Sequence, residues 1–405
     1  MMNKHVLLVS GLAGALAGCD QFGGGGGGGD LALPSFDDHV TAFYCASPTS
    51  CVIATDQGSG PGHLYATDGA SITATIFTGD RDFAAKVGTD GEVGFSGFTK
   101  VGDKLMVLVD GAASAYVTAS GDITKPESWT IAKLGTQVGP NTNGPFGLNQ
   151  QNGLFAANGQ WTYVVHNVVL TSSAGPAPST IWNWTWSPQA QPSVPENLDD
   201  LRAADPTLCN SDPGADMTPA SPQSIYVASD LIVTPAGSYI QDGSDAPGVC
   251  ISLDHGHSFH HAAFANAANG PNGINCTSQD HCVAYADVPF GGDGAAPIVF
   301  VSTDASKGAA STWKAATTPA VGENTLLRNL VFAPDGMHGW ILGWHDGATP
   351  LLFATSDGGA TWSDASGSLG ADSFRPYGAY AFDATHLWVG GDWIGGDARV
   401  INVTM

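Results

Sequence analysis

The chain has 405 residues, of which 12% are charged and 43% hydrophobic, and its formal net charge at pH 7 is −24. A surface this acidic repels phosphate backbones, which argues against nucleic acid as a partner, and the hydrophobic content with 11 tryptophans argues against a disordered chain. The 54 glycines, set among Ser, Thr, Asn and Asp, favour many short strands joined by turns over a helical bundle.

The first eighteen residues have the layout of a short export signal. Lys4 gives a positive start, a mainly apolar stretch follows over 6–17, and small residues lead to Cys19. This stretch is shorter than the roughly 20 apolar residues of a transmembrane helix. Residues 16–19 resemble the lipobox of bacterial lipoproteins, in which the cysteine is lipidated and becomes residue one after cleavage. We therefore predict a signal peptide at 1–18 and lipid on Cys19; the alternative is an ordinary signal peptide followed by an unrelated cysteine.

A flexible tether is predicted next, over residues 19–34. Seven consecutive glycines occupy residues 23–29. A tract of this kind spans about 15 Å on average, so it would hold the following domain, 35–405, close to a bilayer. The expected location is the bacterial cell envelope, on the periplasmic face or the cell surface, with inner and outer membrane both open.

Six further cysteines make an even number, as is typical of an oxidising compartment. Two pairs, Cys45–Cys51 and Cys276–Cys282, share the pattern Cys-x-Ser-x-x-x-Cys-Val before an apolar run. Each predicts a turn closed by a disulfide between two strands. Cys209 and Cys250 are left to pair with each other. A metal site is the alternative, but the cysteines lack histidines at zinc-ligand spacing.

A unit of strands and turns recurs along the rest of the chain. We count seven units, starting near residues 40, 92, 146, 222, 272, 325 and 374. Short apolar strands follow polar turns in five of them, at 104–109, 160–165, 281–285, 339–343 and 386–390. A segment near residues 31–36 is expected to supply the missing outer strand of the last unit, because an unclosed ring leaves exposed edges.

Two segments, 249–259 and 352–362, carry the pattern Ser/Thr-x-Asp-x-Gly-x-Thr/Ser-Trp/Phe. This is the Asp-box, and the chain resembles the BNR/Asp-box repeat β-propellers of the sialidase-like and photosystem II assembly factor-like superfamily. Looser copies lie at 300–313 and 117–129. In such a box the Asp carboxylate accepts N–H groups of a tight turn, and the aromatic residue packs into the core. The residues predicted for this structural role are Ser252, Asp254, Gly256, Ser258, Phe259, Asp304, Trp313, Thr355, Asp357, Gly359, Thr361 and Trp362.

The resemblance implies an all-β fold, a seven-bladed β-propeller, with six or eight blades as alternatives. In that family the box lies on the rim, away from the active centre, so it does not indicate catalysis. We expect a monomer with no catalytic residue, no cofactor and no metal site. The expected function is a non-catalytic binding or assembly platform for an envelope protein or glycan, held to the membrane by the N-terminal lipid. The alternative is an exo-acting glycoside hydrolase of sialidase-like fold.

The charged residues test the enzyme alternative. Sialidases hold a substrate carboxylate with three arginines and use a Tyr/Glu pair, whereas this chain has only five arginines and four glutamates. Residues 374–377, Phe-Arg-Pro-Tyr, faintly resemble the motif that opens such domains, but they lie near the end of this chain. An Asp pair for inverting glycoside hydrolysis stays open, since no spacing singles one out.

Two other clusters each have a structural and a functional interpretation. Residues 254–261 contain four histidines, but the two inside the box fall at its variable positions and are expected to point to solvent. Residues 182–186 alternate tryptophan with polar residues, which places three indoles on one face of a strand. Packing between blades is the expected role of these indoles; a platform for sugar rings is the alternative.

Overall fold

A computed structural model of the chain gives the fold. It describes residues 30–35, 39–56, 60–88, 90–101, 104–110, 115–133, 153–157, 160–165, 170–171, 175–176, 180–184, 196–200, 226–228, 231–235, 247–253, 260–267, 269–288, 297–370, 373–393 and 398–405. These residues are mostly in strands. The helices among them are α1 (Arg81–Val87) and three 3-10 helices at Pro126–Ser128, Ala305–Ala310 and Ser366–Leu369.

The described strands form seven four-stranded antiparallel sheets and one small hairpin. The first strand of the chain, β1 (Asp30–Ala32), belongs to the last sheet. Sheet 1 contains β2 (His39–Cys45), β3 (Cys51–Asp56), β4 (His63–Thr67) and β5 (Ile72–Thr78). Sheet 2 contains β6 (Gly94–Val101), β7 (Lys104–Asp110), β8 (Ala115–Ser120) and β9 (Trp129–Lys133). Sheet 3 contains β10 (Gly153–Ala157), β11 (Gln160–Val165), β14 (Thr180–Trp184) and β15 (Glu196–Asp200), and the hairpin pairs β12 (Leu170–Thr171) with β13 (Gly175–Pro176).

The remaining four sheets follow in chain order. Sheet 4 contains β16 (Tyr226–Ala228), β17 (Leu231–Pro235), β18 (Gly248–Ser252) and β19 (His260–Ala263). Sheet 5 contains β20 (Gly273–Cys276), β21 (Cys282–Tyr285), β22 (Val299–Ser302) and β23 (Trp313–Ala315). Sheet 6 contains β24 (Thr325–Phe332), β25 (Gly339–His345), β26 (Thr349–Thr355) and β27 (Ser363–Asp364). Sheet 7 contains β28 (Phe374–Ala381), β29 (His386–Trp393) and β30 (Ala398–Thr404), with β1 as its outer strand.

The first strand of each sheet lies on the inside of a ring. These inner strands are β2, β6, β10, β16, β20, β24 and β28, and each contacts the next, with β28 contacting β2. The contacts therefore enclose a central space, which we call the channel. The inner strands begin near the seven predicted unit starts, because the polar turn before each apolar run marks the beginning of a sheet.

The ring is closed by the N-terminal strand. In β1, Asp30 pairs with Ile401 and Ala32 pairs with Arg399 of β30. This strand spans residues 30–32, slightly earlier than the predicted 31–36 segment. It lies entirely within the residues assigned to the tether, so the folded domain begins by residue 30 and not at the predicted 35. Its pairing covers the edge that β30 would otherwise expose.

The core lies between neighbouring sheets. Trp340 and Leu342 of β25 pack with Leu387 and Val389 of β29, while Trp388 of β29 packs toward sheet 1. Both faces of a second strand are covered in this arrangement. For this reason β21 and most of β3 and β25 are continuously apolar and buried instead of alternating.

The loops divide between two ends of the ring. Because the sheets are antiparallel, the turns after first and third strands share one end, which includes residues 277–281, 334–338 and 356–362. We call this the box end. The turns after second and fourth strands, such as 346–348, lie at the other end, which we call the far end.

Two predicted disulfides are confirmed. Cys45–Cys51 and Cys276–Cys282 each close a box-end turn between a first and a second strand. The two turns match in detail, since the hydroxyls of Ser47 and Ser278 each accept, at 3.0 Å, the N–H of the residue three positions later. The two cysteine pairs therefore have the same sequence spacing because they close turns of the same geometry.

Several predicted features lie outside the described residues. They are Cys19, Cys209, the box residues 254–259 with two of the four histidines, and residue 186 of the tryptophan segment. Cys250 is disulfide-bonded. Within the described part of the chain, no helix combines the length and the apolar character needed to cross a bilayer.

Candidate functional site

The Asp357 carboxylate organises a box-end turn. Its two oxygens accept the N–H of Thr361 at 2.9 Å, the hydroxyl of Thr361 at 2.6 Å and the hydroxyl of Thr355 at 2.8 Å. Gly359 takes a left-handed φ of +94°, which glycine adopts without steric cost, and its carbonyl accepts the indole N–H of the buried Trp362 at 2.8 Å. All the polar atoms named here form hydrogen bonds within the turn itself.

The looser copies have the same local chemistry. Asp304 accepts the N–H of Thr312 at 2.7 Å, and Trp313 is buried. Asp122 accepts the N–H and the hydroxyl of Thr124, at 3.0 and 2.7 Å, and the indole of Trp129 donates to a backbone carbonyl. The copy at 300–313 contains an insertion and the copy at 117–129 matches the pattern weakly, yet in both the Asp still accepts hydrogen bonds from the turn.

These hydrogen bonds stabilise ionised carboxylates at the box end. Backbone N–H donors lower the pKa of Asp68, Asp304 and Asp335. At Asp383 partial desolvation acts in the opposite direction, but hydrogen bonds from Thr385 and His386 outweigh it and lower the pKa to about 2.

A different cluster lies at the far end, around Trp344. The guanidinium carbons of Arg328 and Arg375 lie 4.9 and 6.0 Å from the centroid of this buried ring, and the ring of Tyr377 meets it edge-on at 5.0 Å. Cations over an indole face are attracted by the ring quadrupole. We call Trp344, Arg328, Arg375 and Tyr377 the Trp344 cluster. Two of the chain's 13 basic side chains thus share one tryptophan.

Bulges in the inner strands put two of these residues in place. The pairing of β24 with β25 skips Arg328, and the pairing of β28 with β29 skips Tyr377. A bulged residue leaves the ladder and its side chain is re-aimed, which is a common device beside binding sites. Equivalent bulges occur at Thr41 in β2 and at Gly97 in β6. All four of these inner strands have a bulge at this position, but only in sheets 6 and 7 does the bulged residue carry a large polar side chain.

Arg328 is held by a carboxylate from the preceding sheet. Its guanidinium lies 3.3 Å from Asp287 Oδ2, and Asp287 Oδ1 accepts the N–H of Leu327 at 2.6 Å. Burial raises the pKa of Asp287, and the charge of Arg328 offsets that effect only in part. The ion pair therefore connects sheets 5 and 6 at the edge of the cluster.

Arg375 has a different environment. Its Nε donates to the carbonyl of Gly347 at 2.5 Å, and no ion pair to it is found among the residues the structure describes. Its cross-strand partner is Asp392, whose Oδ1 is buried without a hydrogen-bond partner in the same part of the chain. Burial raises the pKa of Asp392, while the charges of His39 and Arg375 oppose it. The half-buried guanidinium of Arg375 therefore makes hydrogen bonds to Gly347 and Tyr377 and interacts with the charge of Asp392, but it forms no ion pair among the described residues.

His39 extends the cluster into sheet 1. Its ring stacks with that of Tyr377 at 6.4 Å, and its Nδ1 lies 3.5 Å from Asp56 Oδ1. The pairs His39–Asp56 and Arg375–Asp392 occupy the same register position, just before the bulge. Burial raises the pKa of Tyr377, and the negative charge of Asp392 adds to the shift.

Sequence reasoning found part of this cluster. The 374–377 segment supplied Arg375 and Tyr377, and Arg328 was among the five arginines considered. Trp344, Asp287 and Asp392 were missed. A usable signal was the glycine followed by a polar or aromatic residue at the end of a second strand, Gly343-Trp344 and Gly391-Asp392.

The arrangement is suited to holding an anion. Two guanidiniums on one indole offer several N–H donors in a partly desolvated place. In the described parts of the chain, no three His, Cys, Asp or Glu side chains are grouped as metal ligands.

Solved structures of low sequence identity share this fold. YCF48 from Cyanidioschyzon merolae is 12% identical over 93% of this chain and 98% of its own, with a TM-score of 0.58. YCF48 bound to D1 peptide is 10% identical over 93% of this chain and 95% of its own, at 0.55. A catalytically inactive virginiamycin B lyase from Staphylococcus aureus with quinupristin is 13% identical over 93% and 99%, also at 0.55. These are β-propeller-like folds, and this chain has a β-propeller fold. No protein-family model matches the chain, and no curated protein matches it in sequence.

Proposed function

We propose that this chain is a lipid-anchored, seven-bladed β-propeller that binds a carboxylate-bearing peptide segment of an envelope protein at the Trp344 cluster, without catalysis. The observation that carries the proposal is Arg375. Its half-buried guanidinium forms no ion pair among the described residues, and burial raises the pKa of the Asp392 carboxyl beside it, so the positive charge is compensated only in part and an anion from outside would complete the compensation.

The seven described sheets and the closed cycle of inner strands support the blade count. The lipobox sequence supports the anchor, with a signal peptide at 1–18, a tether at 19–29 and a propeller at 30–405 as proposed boundaries, since the propeller includes β1. A platform role is also supported by a neighbour of similar fold that binds a peptide.

A peptide fits the site better than a glycan does. Carboxylates match the planar fork of an arginine, and uncharged sugar hydroxyls do not compensate a buried guanidinium charge to the same degree. Stacking of both guanidiniums on Trp344 also restricts their rotation, so less conformational entropy is lost when a ligand binds.

The raised pKa values of Asp287 and Asp392, beside arginines, favour the glycoside hydrolase as the second candidate. Tyr377 argues against a sialidase-type reaction, because a tyrosine nucleophile needs a lowered pKa and burial raises that of Tyr377. Asp287, in addition, is committed to Arg328 and to a backbone N–H.

The test is a binding screen with matched chemistry. Detergent-solubilised chain is presented with an array of ten-residue peptides, each synthesised with a free C-terminal carboxylate and with a C-terminal amide. We expect binders that lose at least about tenfold affinity on amidation and on Arg375→Ala. If wild type and Arg375→Ala bind the peptides of the array equally, the Trp344 cluster is not the binding site. Hydrolysis of aryl glycosides by wild type, abolished in Asp392→Asn, would support the enzyme instead.

The anchor is tested separately. Metabolic labelling with a fatty-acid analogue is expected to mark the wild type and not Cys19→Ala. Equal labelling of both would show that Cys19 carries no lipid.

A further inference from the structure

Three aromatic rings form a second chain of contacts on the inner strands. The ring of Tyr44 in β2 lies 5.7 Å from that of Tyr380 in β28 and 6.4 Å from that of Phe98 in β6. The Tyr380 hydroxyl donates to the carbonyl of Cys45 at 3.4 Å, which fixes the direction of its ring. All three side chains are half-buried. We call Tyr44, Phe98 and Tyr380 the aromatic triad.

We expect the exposed part of these rings to face the channel. An inner strand is flanked on one side by the second strand of its own sheet and along its faces by the neighbouring sheets. The side left uncovered in the middle of such a strand is the one toward the enclosed space. The triad therefore presents an apolar surface across three adjacent sheets, 7, 1 and 2.

The triad and the Trp344 cluster lie along the same strand. Tyr377 and Tyr380 are three residues apart in β28, and a strand rises 3.2–3.4 Å per residue, which places them at most about 10 Å apart along the strand, since the bulge at Tyr377 shortens the first step. A bound peptide in extended conformation has the same rise. The spacing therefore corresponds to at most three residues of such a ligand.

We infer that the triad is a subsite for an apolar side chain three residues before the C-terminal carboxylate of the peptide bound at the Trp344 cluster. This inference rests on the proposed function and specifies its ligand. The triad has no charged group, and burial raises the pKa of Tyr380 to about 12, so its hydroxyl is neutral at physiological pH. A charged side chain at that ligand position would lose hydration without gaining a partner, whereas an apolar one gains by burial.

A positional scan tests the inference with the full chain. Fluorescent eight-residue Gly/Ser peptides with a free C-terminus carry one leucine, moved from the last position to the sixth residue before it. We expect the leucine three residues before the C-terminus to tighten binding about tenfold over the leucine-free peptide, which corresponds to roughly 1.4 kcal/mol. Tyr44→Ala should erase that preference and leave the leucine-free peptide's affinity unchanged.

Controls keep the outcomes separate. Phe98→Ala is a second variant in case Tyr44→Ala does not fold, and Tyr226→Ala removes a half-buried tyrosine from the inner strand β16, outside the triad. Tyr226→Ala should keep the preference. Three outcomes would overturn the subsite while the proposed function stands. The affinity could be independent of the leucine position, it could be highest with the leucine at another position, or the preference could survive both Tyr44→Ala and Phe98→Ala. Failure of every peptide to bind would overturn both.

Discussion

The two ends of the ring use the same residue type for different purposes. At the box end, turn N–H groups and hydroxyls surround Asp304 and Asp357 and lower their pKa. At the far end, desolvation of the half-buried Asp287 and Asp392 outweighs their hydrogen bonds and the nearby positive charges, and their pKa is raised. The immediate surroundings of a carboxyl group, backbone donors or protein interior, decide whether it holds a turn or belongs to a site.

Tryptophans show the same division. The indole N–H of Trp362 donates to Gly359 inside its own turn, and that of Trp129 donates to Ile123. Trp344 instead offers its ring face to two arginines from different sheets. A motif tryptophan is thus fixed by local sequence, whereas the site tryptophan has partners distant in sequence.

The largest expected effect separates these two tryptophans. Both Trp344→Ala and Trp362→Ala should lower the free energy of unfolding by about 3–5 kcal/mol, because each leaves a large cavity. Only Trp344→Ala should also weaken peptide binding by the folded fraction, by at least about tenfold, since it removes the support of both arginines. Denaturant unfolding and fluorescence anisotropy on the two variants measure this. Equal peptide affinity of the two variants would contradict the assignment of binding to the far end and of turn stabilisation to the box end.

Arg375→Ala should do the reverse of Trp362→Ala. We expect affinity for carboxylate peptides to fall about 10- to 100-fold, or about 1.4–2.8 kcal/mol, with a change in unfolding free energy below about 1 kcal/mol. Arg81→Ala, an exposed arginine on α1, is the matched control and should change neither. A large loss of stability without loss of binding would make Arg375 a structural residue.

At the box end, Asp357→Ala should cost about 1–3 kcal/mol of unfolding free energy, because the N–H of Thr361 loses its acceptor. Peptide affinity should be unchanged. The exposed Asp90→Ala should stay within about 0.5 kcal/mol of wild type. If Asp357→Ala leaves the melting temperature unaltered but abolishes binding, the structural interpretation of the box is wrong.

Acidification sharpens the contrast at the far end. The pKa of Asp392 is raised, so this carboxyl is protonated at higher pH than an ordinary aspartate, and its negative charge beside Arg375 is then lost. We therefore expect carboxylate-peptide affinity to increase modestly as pH falls from 7 toward 5. Asp392→Asn should bind more tightly at pH 7 and lack this pH dependence. An identical pH profile in both proteins would exclude Asp392 as its source.

The smallest effect concerns stability in acid. Asp383 has a pKa of about 2 in the folded chain, below the roughly 3.9 of an unfolded aspartate. The stability it contributes is therefore complete above about pH 4 and is lost as pH falls toward 2. Acid unfolding followed by tryptophan fluorescence should show a shallower decline for Asp383→Asn over this range. A steeper decline would contradict the assignment.

Much of the fold was predictable because its signals are local. The apolar strands at 339–343 and 386–390, the paired cysteine turns and the box residues each depend on neighbours within about a dozen positions. The closing strand was also expected, since a ring without it has an open edge, although it lies at Asp30–Ala32 instead of over 31–36.

The Trp344 cluster was only partly predictable. The four equivalent bulge positions hold Thr41, Gly97, Arg328 and Tyr377, which share no chemistry, so no pattern marks them as equivalent. The anion-binding interpretation also depends on what Arg375 lacks, and a missing ion pair becomes visible only when the neighbours of a side chain are known.

By itself, the sequence determined where strands and turns occur, because hydrogen-bonded turns, cysteine spacing and alternation of apolar residues act over a few residues. The tertiary structure alone decided which side chains meet, since ring closure brings β2 against β28 and places His39 beside Tyr377. Residues hundreds of positions apart become neighbours through the packing of whole sheets, and that packing depends on many weak apolar contacts spread over the entire chain.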